Sequence, residues 1–110
     1  MHEYALAQSI IQTAAEHASG AKVTKIEMVI GESSGIMGES IRMYFDIFAE
    51  NTPCEDAIIE IETVKPKLRC KACDMLFVRK PFSFNCACGG EGMPTEIGRE
   101  FFIKSIVVEG

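Results

Sequence analysis

Four of the chain's five cysteines lie within nineteen consecutive residues, and no other feature limits the fold as strongly. Cys70 and Cys73 are separated by two residues, and Cys86 and Cys88 follow with one residue between them. Four thiolates at such spacing are typical of one tetrahedral Zn²⁺ site with Zn–S distances of ~2.3 Å. A rubredoxin-like iron site is one alternative. Two disulfides are another, although thiols of cytosolic proteins stay reduced. We therefore predict a structural zinc site.

The second cysteine pair is one residue shorter than the first. In an extended backbone, residues i and i+2 point to the same side, so Cys86 and Cys88 can chelate one metal ion from a strand-like segment. Gly89 and Gly90 follow directly and allow the chain to turn away from the metal. The pattern thus predicts an extended ligand segment followed by a glycine turn.

The composition is that of a folded domain with an acidic surface. Hydrophobic residues make up 47% of the 110 residues and charged residues 25%, and the formal net charge is −5. This charge disfavours general nucleic-acid binding. The start Met1-His2-Glu3 has no basic or apolar leader region, and no apolar run approaches the length of a membrane span. We expect a cytoplasmic protein that binds neither nucleic acid nor a membrane.

Hydrophobic periodicity predicts two helices and three strands outside the cysteine-rich segment. The helices are expected over residues 4–18 and from about residue 39 to Asn51-Thr52-Pro53, and the strands over residues 23–30, 57–64 and 101–108. The last strand is too apolar to stand alone, and the other strands precede the cysteines. We therefore predict an α+β fold, with two helices packed on a small mixed three-stranded sheet and a zinc-binding module inserted between the last two strands. Residues 1–64, completed by the strand segment 97–110, would form one domain and residues 65–96 the zinc-binding module.

The N-terminal tripeptide is the second candidate metal site. The Met1 amine, the His2 amide nitrogen and the imidazole Nδ1 can close fused chelate rings on one ion, and planar nitrogen ligands suit Ni²⁺ or Cu²⁺. Glu3 can add a fourth ligand. The alternative is that His2 is a frayed terminal residue and that Glu3 only stabilises a helix N-terminus through the macrodipole. The residues alone leave both interpretations open.

Three further residues have ordinary structural interpretations. His17 lies near a helix C-terminus, where a solvated imidazole interacts favourably with the dipole. Glu39 opens the second predicted helix, where its charge is favourable for the same reason. Cys54 lies away from the other cysteines and is expected to fill space as a small apolar side chain. The sequence contains no recognisable nucleophile–base pair or phosphate-binding loop, so nothing in it argues for an enzyme.

A basic run around the first cysteine pair supports a different hypothesis. Its members are Lys65, Lys67, Arg69, Lys71, Arg79 and Lys80. A zinc ribbon with these charges is a candidate nucleic-acid-binding module. The alternative is that the cations balance the negative charge of a Zn(Cys)₄ centre and stay solvated. A third hypothesis is a structural adaptor that binds zinc only.

Four segments taken together resemble the HypA/HybF family of nickel-insertion proteins. They are Met1-His2-Glu3, the loop from Gly31 to Ser40, the cysteine segment, and the stretch from Gly98 to Ser105. The resemblance implies a nickel metallochaperone of [NiFe]-hydrogenase maturation. Met1, His2 and Glu3 would bind Ni²⁺ as transient cargo, and Cys70, Cys73, Cys86 and Cys88 would hold structural zinc. It also implies a HypB-like GTPase and the hydrogenase large-subunit precursor as partners, with urease as a second client in some bacteria.

The sequence departs from the family pattern at its second cysteine pair. The family usually has Cys-x-x-Cys, whereas this chain has Cys86-Ala87-Cys88, so the resemblance does not give the geometry of this half-site. Some members carry histidines beside the cysteines that can exchange with them as pH falls, and this segment has none. An acidic residue of the 31–40 loop is a candidate further nickel ligand, and we name Glu39. The oligomeric state is left open, with a weak homodimer as one alternative.

Overall fold

The computed structural model describes residues 3–110, which form two helices and six strands. In chain order these are α1 (Glu3–Ala18), β1 (Val23–Gly31), α2 (Gly38–Phe48), β2 (Ile58–Val64), β3 (Lys67–Cys70), β4 (Leu76–Val78), β5 (Gly92–Pro94) and β6 (Phe101–Val108). Every helix and strand expected from periodicity is present, with similar ends. Among the described residues, no helix is long and apolar enough to cross a membrane.

The main sheet is mixed and has the strand order β2-β1-β6. The central strand β1 is parallel to β2 and antiparallel to β6. Alternate residues of β1, namely Ile26, Met28 and Ile30, are buried in the core. The predicted α+β architecture, with the four cysteines between two strands of one mixed sheet, is confirmed.

Both helices contribute to the same core because each carries an apolar stripe at helical spacing. The buried residues of α1 are Ala7, Ile10, Ile11, Ala14 and Ala18. Those of α2 are Ile41 and Phe45, which pack in one cluster with β1 and with Ile59 of β2. The main sheet and the helices are therefore held together by hydrophobic packing.

The other face of the main sheet carries charges. Glu27 of β1 lies opposite Glu60 of β2 in the parallel register. Two carboxylates in this position repel each other. Lys25 offsets the repulsion because its Nζ lies 3.4 Å from Glu27 and 3.6 Å from Glu60. The alternation of β2 is as predicted, since Glu60 and Glu62 are exposed and Ile59 is buried.

A second three-stranded sheet, with the order β4-β3-β5, is built from the cysteine-rich segment. Both of its pairings are antiparallel. Hydrophobic periodicity predicts no strand in this segment. Each of these strands has only three or four residues, which is too short for an alternating pattern to stand out.

The chain leaves and re-enters the main sheet at a tightly packed junction beside the end of β1. The N–H of Gly31 donates to the Glu100 carbonyl and the N–H of Ser33 to the Gly98 carbonyl, both at 2.7 Å. A Cβ atom at Gly31 would lie 2.0 Å from the Gly98 carbonyl oxygen, and one at Gly98 would lie 2.6 Å from the Pro66 Cα. Gly98 also has a φ of +103°. The two chain crossings can approach β1 this closely only because glycine stands at these positions.

Candidate metal centre

The four-cysteine cluster, formed by Cys70, Cys73, Cys86 and Cys88, brings four sulfur atoms within 4.8 Å of one another. The sulfurs of Cys70 and Cys88 are 3.4 Å apart, and those of Cys73 and Cys86 are 3.8 Å apart. Bonded sulfurs would be ~2.05 Å apart, so these are free thiols. A Zn²⁺ ion bound to four sulfurs at ~2.3 Å in a tetrahedron spaces them ~3.8 Å apart. The cluster therefore fits one tetrahedral metal ion.

The first half-site is a tight turn at the end of β3. The N–H groups of Ala72 and Cys73 point at the Cys70 sulfur, at 3.3 and 3.4 Å. The N–H of Cys70 donates to the Met75 carbonyl at 2.9 Å and closes the turn. Asp74 supplies the left-handed backbone conformation, with a φ of +62°, which Asp adopts more readily than most residues. The turn thereby aims Cys70 and Cys73 at the same point.

The second half-site is a turn as well, and the expectation of an extended ligand segment was wrong. The N–H of Gly89 donates to the Cys86 carbonyl at 2.9 Å, across a four-residue turn that contains Cys88. The N–H of Cys86 donates to the Gly90 carbonyl at 2.8 Å. Backbone groups of this segment therefore pair with one another, which returns the chain toward the first half-site. The N–H of Gly90 also points at the Cys88 sulfur, at 3.4 Å.

Gly90 is a functional residue whose role the sequence indicated only in part. The glycine pair was expected to give freedom to turn, and Gly89 does have a φ of +93°. At Gly90 the reason is space. A Cβ atom there would lie 2.5 Å from the Cys70 sulfur and 2.8 Å from the Ala72 Cβ. The two half-sites can meet because residue 90 has no side chain.

The backbone around the cluster favours one thiolate over the others. The N–H groups of Cys73 and Ala72 stabilise the thiolate of Cys70 and lower its pKa to about 6. The N–H of Met75 lowers the pKa of Cys73 in the same way. The neighbouring thiols of Cys70 and Cys88 outweigh this effect and raise the pKa of Cys73 to about 12. Four thiolates this close together need a cation to coexist, so metal binding would release protons.

Of the N-terminal candidates, Glu3 is among the described residues, whereas Met1 and His2 lie outside them. Glu3 begins α1, and its Oε2 accepts a hydrogen bond from the N–H of Met37 at 3.3 Å. Met37 is the N-cap residue of α2, so the carboxylate lies where the helix dipole favours negative charge. The exposed candidate Glu39 follows in the first turn of α2. The sequence gives no signal for Met37, because its contribution is a backbone amide.

Cys54 and His17 occupy the positions that their structural interpretations predicted. Cys54 is fully buried in the core cluster, and burial raises the pKa of its thiol. His17 is exposed in the last turn of α1, and its Nδ1 lies 2.9 Å from the Thr13 carbonyl oxygen. Neither residue lies with the four-cysteine cluster.

Comparison with known families shows what kind of protein contains this centre. The family described as "Hydrogenase/urease nickel incorporation, metallochaperone, hypA" matches residues 1–108. The chain belongs to the HypA family. HypA proteins are metallochaperones of hydrogenase maturation, so the expectation of a protein without catalytic activity of its own is confirmed.

Individual HypA proteins match along nearly the whole chain. The Hydrogenase maturation factor HypA of Caldanaerobacter subterraneus is 41% identical, with 99% of this chain and 100% of that protein covered. The factor of the same name from Nostoc punctiforme is 38% identical, with 99% and 96% covered. Among solved structures, the Ni metallochaperone HypA from Helicobacter pylori has a TM-score of 0.66 at 30% identity, covering 98% of this chain and 97% of that one. A second HypA solution structure has a TM-score of 0.72 at 28% identity, with 99% and 97% covered.

Proposed function

We propose that this chain is a nickel metallochaperone that binds Ni²⁺ through Met1, His2 and Glu3 and delivers it to the precursor of the [NiFe]-hydrogenase large subunit. The observation that carries the proposal is the family match over residues 1–108, which includes the N-terminal tripeptide. The similar protein from Helicobacter pylori is described as a Ni metallochaperone. The contact between Glu3 and Met37 adds support because it holds one proposed ligand against the N-terminus of α2.

The four-cysteine cluster is, in this proposal, a structural zinc site. Its sulfur spacing fits a tetrahedral ion, and thiolates in that geometry suit Zn²⁺. Residues 65–96 then act as the zinc-binding module, and residues 1–64 with 97–110 act as the nickel-binding domain. An iron ion would fit the same four sulfurs, so metal analysis decides between the two metals.

Donor type and geometry would sort the two metals. Nitrogen donors at the N-terminus give Ni²⁺ a planar set without enclosing it, which permits release. The four thiolates are softer donors in a tetrahedral arrangement, which is the site that Zn²⁺ prefers. The His2 imidazole binds metal only when it is neutral, so nickel affinity should fall as pH drops toward ~6.5 and below.

The proposed partners follow from the family. We propose that the chain works in the cytoplasm with a HypB-like GTPase and the hydrogenase large-subunit precursor, and that urease is a second client where the organism has one. Neither nucleic acid nor a membrane is a partner in this proposal. The formal net charge of −5 supports the exclusion of nucleic acid.

Equilibrium dialysis with Ni²⁺ tests the nickel site. Protein with a free Met1 amine should bind nickel, whereas an N-terminal extension and the variant His2→Ala should both weaken binding by a similar factor while zinc stays bound. His17→Ala is the matched control, because it removes the chain's other histidine from a site far along α1. Equal nickel binding by extended and native protein, or nickel–sulfur ligation in X-ray absorption spectra, would refute the terminal chelate.

A further inference from the structure

A basic crevice lies where the cysteine-rich segment meets the main sheet. Its volume is about 320 Å³. It is lined by Glu32, Lys65, Pro66, Val78, Arg79, Lys80 and Pro81. Three of these side chains are cations and one is an anion, so the crevice is electropositive. It is distinct from both candidate metal sites, since none of its lining residues is a proposed ligand.

The cations of the crevice lack the ion pairs that most of the chain's cations have. Six of the eleven lysines and arginines have a carboxylate oxygen within 4.0 Å, and Arg42 instead donates to the Ile59 carbonyl. Among the described residues, the four remaining cations are Lys65, Lys67, Arg79 and Lys80. Three of these four line the crevice, and Glu32 forms no ion pair with any of them. The crevice therefore concentrates the positive charge that the fold leaves unneutralised.

The residue that follows the crevice-lining Pro81 in the chain carries an exposed aromatic side chain. Phe82 follows Pro81 and is fully exposed, although an aromatic side chain of this size normally finds apolar neighbours. Its φ of +60° is an uncommon backbone conformation for a bulky residue. Within the crevice lining, the Arg79 guanidinium stacks over the Phe84 ring at 4.2 Å, which leaves the N–H edge of the guanidinium able to bind a carboxylate. The crevice thus combines cations with an unpartnered apolar anchor.

The distribution of charge over the chain favours a short acidic ligand. Residues 65–96 carry six Lys or Arg and three Asp or Glu, a formal net charge of +3, whereas the rest of the chain carries five and thirteen, a net charge of −8. A long polyanion such as RNA, or an anionic membrane surface, would extend past the crevice and meet the acidic part of the chain. A peptide segment stays within the local positive field. The crevice volume also suits a few side chains rather than a whole helix.

We propose that the basic crevice and the adjoining Phe82 bind an acidic peptide segment of a partner protein. Carboxylates of that segment pair with Lys65, Arg79 and Lys80, and an apolar side chain between them packs on Phe82. Such charge pairs speed association and select the partner, while the aromatic contact slows dissociation. This inference goes beyond nickel delivery and holds whether or not the N-terminus binds a metal.

Fluorescence anisotropy on the full, zinc-loaded chain tests the inference. The probe is a fluorescein-labelled peptide of sequence Glu-Glu-Leu-Glu-Glu, titrated at about 0.15 M salt, where the Debye length is about 8 Å. The double variant Lys65→Glu/Lys80→Glu should weaken binding by about tenfold or more, and Phe82→Ser by about threefold or more. All three side chains are exposed, so these variants should keep the fold, and zinc content together with circular dichroism verifies this.

Lys104→Glu is the control for a single charge reversal, because it places half of the double variant's charge change on an exposed residue of β6 outside the crevice. It should leave the peptide affinity within about twofold of the native value, since salt screens distant surface charges. The inference is overturned if the crevice variants bind the peptide as the native chain does, or if Lys104→Glu weakens binding as much as the single variant Lys65→Glu. Tighter binding to a 20-nucleotide RNA or to phosphatidylserine vesicles than to the peptide would also overturn it.

Discussion

Replacing Gly90 with alanine tests the geometry of the four-cysteine cluster directly. The added Cβ would lie 2.5 Å from the Cys70 sulfur and 2.8 Å from the Ala72 Cβ, so one of these groups must move. Cys70 cannot move freely, because it ends β3 and is buried. Overpacking of this kind costs about 1–3 kcal/mol. Since 1.4 kcal/mol is a factor of ten, Gly90→Ala should bind zinc about 5- to 150-fold more weakly.

Competition for zinc against a chromophoric chelator measures this loss. Gly35→Ala serves as the control, because Gly35 lies in the loop between β1 and α2 and an added Cβ there would meet nothing within 4 Å. Its positive φ of +80° makes the substitution strained, but the strain lies outside the cysteine segment. It should lower the stability of the main domain slightly and leave zinc affinity unchanged.

A double variant adds a check on the cause. In Ala72→Gly/Gly90→Ala one of the two close contacts is removed and the contact with the Cys70 sulfur remains. Zinc affinity should therefore recover only in part. If Gly90→Ala binds zinc as tightly as the native chain, the two half-sites do not pack against each other at residue 90.

Two further predictions concern the four-cysteine cluster and one concerns the junction at Gly31. Cys73→Ala should abolish tight zinc binding while the helices keep their circular dichroism, whereas Cys54→Ala, the same change outside the cluster, should keep one zinc per chain in metal analysis. On acidification of the zinc-loaded chain, zinc release followed with a chromophoric chelator should be complete only below pH 6, because the N–H groups of Cys73 and Ala72 lower the pKa of Cys70 to about 6 and keep this ligand ionised above that pH; complete release at pH 7 would contradict this. Gly31→Ala should lower the free energy of unfolding by about 3 kcal/mol or more, because its Cβ would lie 2.0 Å from the Gly98 carbonyl oxygen; an unchanged denaturation midpoint would count against the described junction.

The elements predicted best from the sequence are those whose side chains repeat with a clear period. The alternation of Ile26, Met28 and Ile30 along β1 and the stripe on α1 follow from burial of one face, so the pattern and the structure have the same cause. The four-cysteine cluster was predictable for a related reason. The spacing of the first pair is set by the turn that chelation requires, and the sequence shows that spacing directly.

The parts that could not be predicted depend on backbone contacts between distant segments. The hydrogen bond from the Met37 amide to Glu3 joins residues 34 positions apart. Because the donor is a backbone amide, the residue type at position 37 does not indicate it. The same holds for the turn at Cys86, where the Gly89 amide meets the Cys86 carbonyl, and for the glycine junction at Gly98. A residue pattern indicates which side chains are buried. These contacts depend instead on where two distant segments of backbone lie close together, which the pattern does not indicate.

The unequal burial of the two parts of the chain explains why one metal would be permanent and the other exchangeable. Within residues 65–96, Leu68 and Cys70 are the only buried residues, and the strands there are three or four residues long. So small an apolar core cannot hold a segment folded by itself, and a metal at the four-cysteine cluster would supply the missing folding energy. The main sheet is packed against two helices around Phe45 and Ile26, so its stability needs no ion. A cation at the N-terminus would therefore contribute little to folding, and its release to a client would leave the fold intact.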